Sequence, residues 1–256
     1  MTAREGWKRV GEWLRTRLFP PACFVCSRLL DLYDADEKRG ALCRECLGEW
    51  EKAKRERCPL CGEEISSCGC MPAEVQMAGC RAMRRLVYYR RGIGDPVQNR
   101  LIYRFKRRRS RRTAQFLAAE LQPLLEEMMA SEGMRPEDTL LIPIPRSRSA
   151  YLAYGTDQAE ALAAALSDGT GLASERVLLH VGRNAKKQKE QLTVEERVRN
   201  AQRSYRLRSG ASIKGKHVVL LDDIVTSGAT VAACARKLRR RGVAGIYALS
   251  IATDES

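Results

Sequence analysis

VVLLDDIVTSGAT, spanning Val218 to Thr230, sets four apolar residues directly before two aspartates and then a run of small, hydroxyl-bearing residues. A strand that only filled a core would not need that ending. The apolar run predicts a buried strand over Val218 to Leu221, with Asp222 and Asp223 emerging at its carboxyl end. Thr226, Ser227, Gly228, Ala229 and Thr230 would then turn into a helix. Their backbone N–H groups and hydroxyls, at the positive helix N-terminus, would cradle a phosphate. Gly228 would let the backbone approach that phosphate closely. Carboxylates accept hydrogen bonds from hydroxyl donors, so the two aspartates suit the vicinal hydroxyls of a ribose. The ligand expected from these residues is a ribose 5-phosphate unit. Neither G-x-G-x-x-G nor G-x-x-x-x-G-K-[ST] occurs, which argues against dinucleotide folds and P-loop NTPases.

Outward from this stretch, strands and helices alternate. MRRLVYYRR (83–91) reads as a strand and VQNRLIYRFKRRR (97–109) as a basic helix. TAQFLAAELQPLLEEMM (113–129) has helical spacing with a stop near Gly133, and DTLLIPIP (138–145) is a short buried strand ended by prolines. DQAEALAAALS (157–167) reads as a helix, SERVLLH (174–180) as a strand, and TVEERVRNAQRSY (193–205) as a helix opened by a Thr193–Glu196 capping box. KHVVLLDD (216–223), TVAACARKLRRRG (230–242) and GIYALSIAT (245–253) complete a strand, a helix stopped by Gly242, and a last strand. The fold class expected is α/β, a mostly parallel sheet with helices on both faces. In such sheets ligands bind beyond the carboxyl ends of the strands.

Ten cysteines are present, and eight form four pairs: Cys23 and Cys26, Cys43 and Cys46, Cys58 and Cys61, Cys68 and Cys70. A C-x-x-C turn places two thiolates on one side of a tight loop, half of a tetrahedral zinc site. Four pairs suit two structural Zn²⁺ ions, one or two in all because the last pair is C-x-C. Gly62 and Gly69 supply the tight turns. Spacing alone leaves open which pairs combine. Disulfides are the competing reading, opposed by the absence of a secretion signal. Cys80 and Cys234 read as small core residues.

The chain has 256 residues, room for one good-sized domain and a small one, with 46 Lys+Arg against 31 Asp+Glu, a net charge of +15. Thirteen basic residues and one acid, Asp95, fall between Arg81 and Arg112. Such a balance favours polyanions. Arg104, Lys106, Arg107, Arg108, Arg109, Arg111 and Arg112, interleaved with Tyr103 and Phe105, are the candidate contacts for single-stranded nucleic acid, although the two aromatics suit a core equally well. No apolar run long enough for a membrane span occurs. The N-terminus lacks the apolar stretch of a signal peptide, so a cytoplasmic location is expected. Trp7, Val10, Trp13, Leu14 and Leu18 predict an amphipathic helix there instead.

Val218 to Thr230 resembles the phosphoribosyl pyrophosphate (PRPP) signature of type I phosphoribosyltransferases. Joined to a cysteine module, it resembles the ComF family of DNA-uptake proteins. The likeness begins at LRTRLFPPACFVC (14–26) and includes CPLCG (58–62), LIYRFKRRR with Lys106, and PIP (143–145). It continues through RNAKKQKEQLTVEERVRNAQRSY (183–205), with Arg183, Gln188, Arg197 and Asn200 near family positions and one extra residue between Gln188 and Leu192. It implies PRPP bound with Mg²⁺ by Asp222, Asp223 and Thr226 to Thr230. It also implies a cytoplasmic role in natural transformation, handling single-stranded DNA, with a DNA-uptake helicase as a partner. After PIP the family reads R-G-F-N-Q where this chain has Tyr154, Gly155, Thr156, Asp157 and Gln158. Arg146 and Arg148 are then the candidates for the pyrophosphate. The expected organisation is an N-terminal helix over 1–20, a double zinc-ribbon module over 21–79 and a phosphoribosyltransferase-like domain over 80–256. The residues leave three readings open: an active phosphoribosyltransferase of nucleotide metabolism with an unknown nitrogen acceptor, a PRPP-binding protein turned to DNA handling, and a structural adaptor. The polar run from Gly182 to Glu190, with Lys186, Lys187 and Lys189, is the candidate lid.

Overall fold

The computed structural model describes residues 21–30, 41–92, 94–107, 110–155, 157–181 and 194–254. The expected N-terminal helix, Arg108, Arg109, Thr193 of the capping box and the candidate lid lie outside the described residues. In chain order the elements are α1 (Arg44–Lys54), α2 (Ala73–Met77), β1 (Ala82–Tyr89), α3 (Val97–Arg107), α4 (Arg111–Ser131), β2 (Thr139–Pro143), α5 (Arg148–Tyr154) and α6 (Gln158–Thr170). There follow β3 (Ala173–Ser174), β4 (Leu178–His180), α7 (Val194–Ser204), β5 (Tyr205–Leu207), β6 (His217–Val225), α8 (Ala229–Arg239) and β7 (Gly245–Asp254).

Five strands form one sheet in the order β1-β7-β6-β2-β3, every pair parallel. Each central strand reads as an apolar run because helices cover both faces. On one face Val219, Leu221 and Leu249 meet Leu101 and Phe105 of α3, Leu117 and Leu121 of α4, and Leu162 and Leu166 of α6. On the other, Val218, Leu220, Ile246 and Ala248 meet Val231, Cys234 and Leu238 of α8 and Val75 of α2. Each fully buried Leu or Val of these layers contributes about 1.5–3 kcal/mol. Cys80 and Cys234 are core residues, as expected. The elements end where the chain chemistry predicts. Gly133, Gly171 and Gly242 take the left-handed conformation after α4, α6 and α8.

Only Ser174, the first residue of SERVLLH, joins the sheet. Ala173 and Ser174, directly after Gly171, take the edge position beside β2. The next residues form an antiparallel hairpin of β4 and β5, with Leu178 opposite Leu207 and His180 opposite Tyr205. Val177, Leu178 and Tyr205 bury themselves against the α8 side. A two-residue edge strand is all that the return from α6 leaves room for, and it offers little edge to a further strand.

The first cysteine group is built into the core rather than standing apart. Cys23, Val25, Leu42 and Cys46 share the α4 layer with Trp50. Trp50 Nε1 donates to Glu120 Oε2 at 2.9 Å, and Lys54 Nζ lies 2.6 Å from the same oxygen, fastening α1 to α4.

Candidate functional site

β2 and β6 are neighbours, yet the chain leaves β2 toward β3 and leaves β6 toward β7. Their carboxyl ends are therefore a topological switch point, where the crevice for a ligand opens in an α/β sheet. Asp222 and Asp223 do not emerge there as free strand ends. β6 continues to Val225, with Asp222 opposite Ser250, Ile224 opposite Ala252 and Val225 opposite Thr253. The long partner strand β7 and a 2.9 Å bond from Thr253 Oγ1 to the Val225 carbonyl prolong the pairing past the acids.

The two carboxylates meet different surroundings. Asp223 is buried, and its Oδ2 receives Arg146 Nη2 and lies 3.3 Å from Lys106 Nζ. Burial alone would raise its pKa, but the two cations outweigh burial and hold it below the usual carboxylate range. Asp222 is half-buried. Burial, and after it the Asp223 charge, push its carboxyl well above the ordinary value, against the weaker pull of Lys106. The adjacent acids thus divide their roles, one kept ionised and one favouring its proton.

The cations come from separate elements. Lys106 sits in the last turn of α3, and its carbonyl accepts from Nε2 of buried Gln158 at 2.9 Å. Arg146 follows the Pro143 to Pro145 turn, where the Ile144 N–H reaches the Leu221 carbonyl at 2.9 Å and extends the β2–β6 pairing past Pro143. Asp157, one of the departures from the family pattern, caps α6. Its Oδ1 accepts from Glu160 N at 3.3 Å and its Oδ2 from Arg146 N at 3.0 Å, so it also holds the Arg146 backbone. Arg148 is not at Asp223. It opens α5 and lines a cleft of about 240 Å³ together with Arg146, Arg176, Arg208 and the β4–β5 hairpin.

Thr226, Ser227 and Gly228 link β6 to α8, and the helix begins at Ala229 without a side-chain cap and with no acid in its first turn. The uncapped N–H groups form the positive end of the helix dipole. Gly228 has φ +73, which side-chain-bearing residues rarely adopt. The direction its side chain would take meets α2 rather than open space: a Cβ there would stand 2.4 Å from Val75 Cγ2 and 3.1 Å from Pro72 Cβ. The direction of its missing side chain is thus taken up by α2. Tyr205, which sequence reasoning passed over, is buried near Thr230 and Asp222, and burial pushes its phenol well above the ordinary value.

The cysteines form two groups, Cys23, Cys26, Cys43 and Cys46, and Cys58, Cys61, Cys68 and Cys70. The sulfurs of each lie within 4.8 Å of one another. Consecutive pairs therefore combine, and all ten cysteines are free thiols. Each group could hold one metal ion. Small antiparallel bridges, Ala22 with Leu29 and Arg57 with Glu64, fold the first pair of each group into a knuckle. The left-handed turn residues are Ser27 and Gly62, whereas Gly69 is not in that conformation. Burial disfavours the Cys58 thiolate, yet the N–H groups of Cys61 and Leu60 outweigh it and bring the thiol down to about 6, suited to a metal ligand. Arg85 was not singled out by the sequence reading. Only 3% exposed, it projects from β1, donates to Cys68 Sγ at 2.9 Å and bonds the Cys70 carbonyl. Two arginines, Arg84 and Arg85, inside the otherwise largely apolar β1 run were the available signal.

The basic candidates spread out. Phe105 is core, while Tyr103 is 53% exposed with the Arg107 guanidinium 4.5 Å from its ring centre. Arg104 reaches Ser27 Oγ at 2.5 Å, Arg111 pairs with Asp168 at 3.3 Å, and Arg112 lies 6.0 Å over Phe24. Lys106 turns inward to Asp223 and is a site residue rather than part of an outer face.

Residues 155–254 match the phosphoribosyl transferase domain. The DNA utilization protein YhgH of Salmonella typhimurium is 28% identical over 234 residues, covering 89% of this chain and 94% of that protein. YhgH of Salmonella typhi aligns at 28% identity over 235 residues with the same coverage. A hypoxanthine phosphoribosyltransferase from Trypanosoma cruzi aligns at 16% identity over 55% of this chain and 67% of that one, with a TM-score of 0.35. A phosphoribosyl transferase domain, two four-cysteine groups ahead of it and identity to DNA utilization proteins over most of the chain bear out the resemblance to the ComF family drawn from the sequence.

Proposed function

We propose that the chain binds PRPP, or a ligand sharing its ribose 5-phosphate end, at the carboxyl end of β6, and that this binding serves the handling of single-stranded DNA in the cytoplasm during DNA uptake. The observation that carries this reading is the convergence of Lys106, Arg146 and Asp223 at the switch point, directly before the uncapped start of α8. In this reading Thr226 to Thr230 hold the 5-phosphate through backbone N–H groups and hydroxyls. Asp222 and Asp223 take the ribose hydroxyls. Arg146, with Arg148 at the cleft mouth, faces the pyrophosphate. An incoming pyrophosphate offers Arg146 and Lys106 a second partner and frees the Asp223 oxygens for hydroxyl donors. Asp223 is already engaged by two cations, so Mg²⁺ would enter together with the pyrophosphate group.

Zinc is the metal that suits two groups of four thiolates, each closed and tetrahedral, with a structural task. We assign residues 21–79 to this module and 80–256 to the phosphoribosyltransferase-like domain. For DNA, the exposed Tyr103 ring with Arg107 upon it offers the stacking face and cation that single strands use. The net charge of +15 and the DNA utilization proteins aligned over most of the chain support the same reading, with a DNA-uptake helicase as a partner.

Calorimetric titration of the metal-loaded protein with PRPP and Mg²⁺ tests it, beside a variant carrying Asp222→Asn and Asp223→Asn. Saturable binding that the variant loses is the expected result. An intact protein that binds no PRPP would sink the proposal and leave single-stranded DNA as the ligand to pursue.

A further inference from the structure

The chain leaving the second cysteine group runs straight into the loop between β6 and α8. Cys70 is followed by Met71 and Pro72, and α2 begins at Ala73. Val75 is fully buried, and the 2.4 Å that a Cβ on Gly228 would leave to Val75 Cγ2 shows that α2 lies on the loop with no room for a side chain between them. Pro72 closes the same contact from the other side, at 3.1 Å. Two anchors hold α2 in place. Glu74 pairs with Arg236 of α8 at 3.2 Å. Upstream, Arg85 of β1 bonds the Cys70 carbonyl and the Cys68 sulfur, fixing the last metal ligand to the sheet.

A five-residue helix has no stability of its own, so its position is set by what flanks it. Four sulfurs within 4.8 Å stay together when a metal joins them, and a segment of this kind loses its fold without one. The first cysteine group differs. It packs into the core on the opposite face of the sheet, with Trp50 and Leu117.

We propose that Pro72 to Val75 is a positioning element for the loop Thr226 to Thr230, so that anion binding there depends on metal at Cys58, Cys61, Cys68 and Cys70 far more than on metal at Cys23, Cys26, Cys43 and Cys46. The ligand part of this proposal rests on the phosphate-binding reading of the loop, whereas the mechanical coupling does not. A loop that loses its support must be ordered again by the ligand. Ordering even one residue corresponds to about a tenfold loss of affinity.

The test compares full-length, metal-loaded protein with Cys61→Ser, which removes an exposed ligand of the second group, and Cys26→Ser, which removes the exposed ligand of the first. Bound metal is counted in each. Amide hydrogen exchange is followed at residues 226–232, and ribose 5-phosphate is titrated as the probe. Cys61→Ser is expected to speed exchange in the loop and to weaken ribose 5-phosphate about tenfold or more, with Cys26→Ser showing the smaller effect on both. Val75→Ala keeps both metals and is expected to speed loop exchange as well, which covers the case in which Cys61→Ser does not fold. Native exchange rates in the loop of Val75→Ala, or equal effects of the two cysteine variants, overturn the proposal. If the intact protein fails to bind ribose 5-phosphate while Val75→Ala still speeds loop exchange, the phosphate reading fails and the coupling stands.

Discussion

Replacing Asp222 by Asn should stabilise the protein, by an amount that grows with pH. The Asp222 carboxyl is pushed well above its ordinary pKa by burial and by the neighbouring Asp223 charge. In the unfolded chain an aspartate ionises near pH 4. A group whose folded pKa is raised contributes its full stability below the unfolded value and loses it as pH climbs toward the folded one. Throughout that window folding must take up a proton, at about 1.4 kcal/mol for each pH unit. Asn is nearly isosteric, carries no proton to take up, and keeps the Oδ1 acceptor that receives Asp223 N at 2.8 Å. The gain over the native protein should therefore widen as pH rises above the unfolded value, by up to about 1.4 kcal/mol per pH unit until the folded carboxyl ionises. Urea unfolding of metal-loaded native and Asp222→Asn proteins at pH 5, 6 and 7 measures it directly. A difference that stays constant across the three would show Asp222 already ionised in the folded state, and the burial argument would be refuted.

Arg85→Met removes the buried donor to Cys68 and Cys70. It should weaken metal at the second group by about 10–100-fold and leave the first group's affinity the greater of the two, read by competition with a chromophoric chelator. Reversing Arg104, Arg107 and Arg112 to Glu should weaken single-stranded DNA binding and flatten its salt dependence by about 0.7 in log–log slope for each lost phosphate contact. Unaltered affinity and slope would remove this face from any DNA-binding role.

Much of the architecture was legible because it follows from local chemistry. The apolar runs of β2, β6 and β7 announce strands covered on both faces, and Gly133, Gly171 and Gly242 mark helix ends that need a left-handed residue. Four cysteine pairs announce metal knuckles. The acids and the hydroxyl-rich turn after Leu221 were legible as a site for the same reason, since their order along the chain already implies a strand, a turn and a helix N-terminus.

What escaped depends on residues brought together from far along the chain. Whether β6 ends at its acids or runs on to Val225 is decided by β7, whose length offers it further partners. SERVLLH has the composition of a sheet strand, but pairing at the β2 edge ends at Ser174, and Leu178 to His180 pair with β5 instead. Arg146 and Lys106 look like loop and surface cations until the fold sets both on Asp223, where they hold its carboxyl below the usual range while burial raises that of Asp222. Arg85 and Gly228 likewise take their meaning from Cys68, Cys70 and Val75. Hydrophobic period and turn residues act within a few positions of themselves, so the sequence alone determined the elements and the kind of site. The charge state of that site, and the packing of the metal module against it, arise from contacts between distant segments, and the tertiary structure alone decided them.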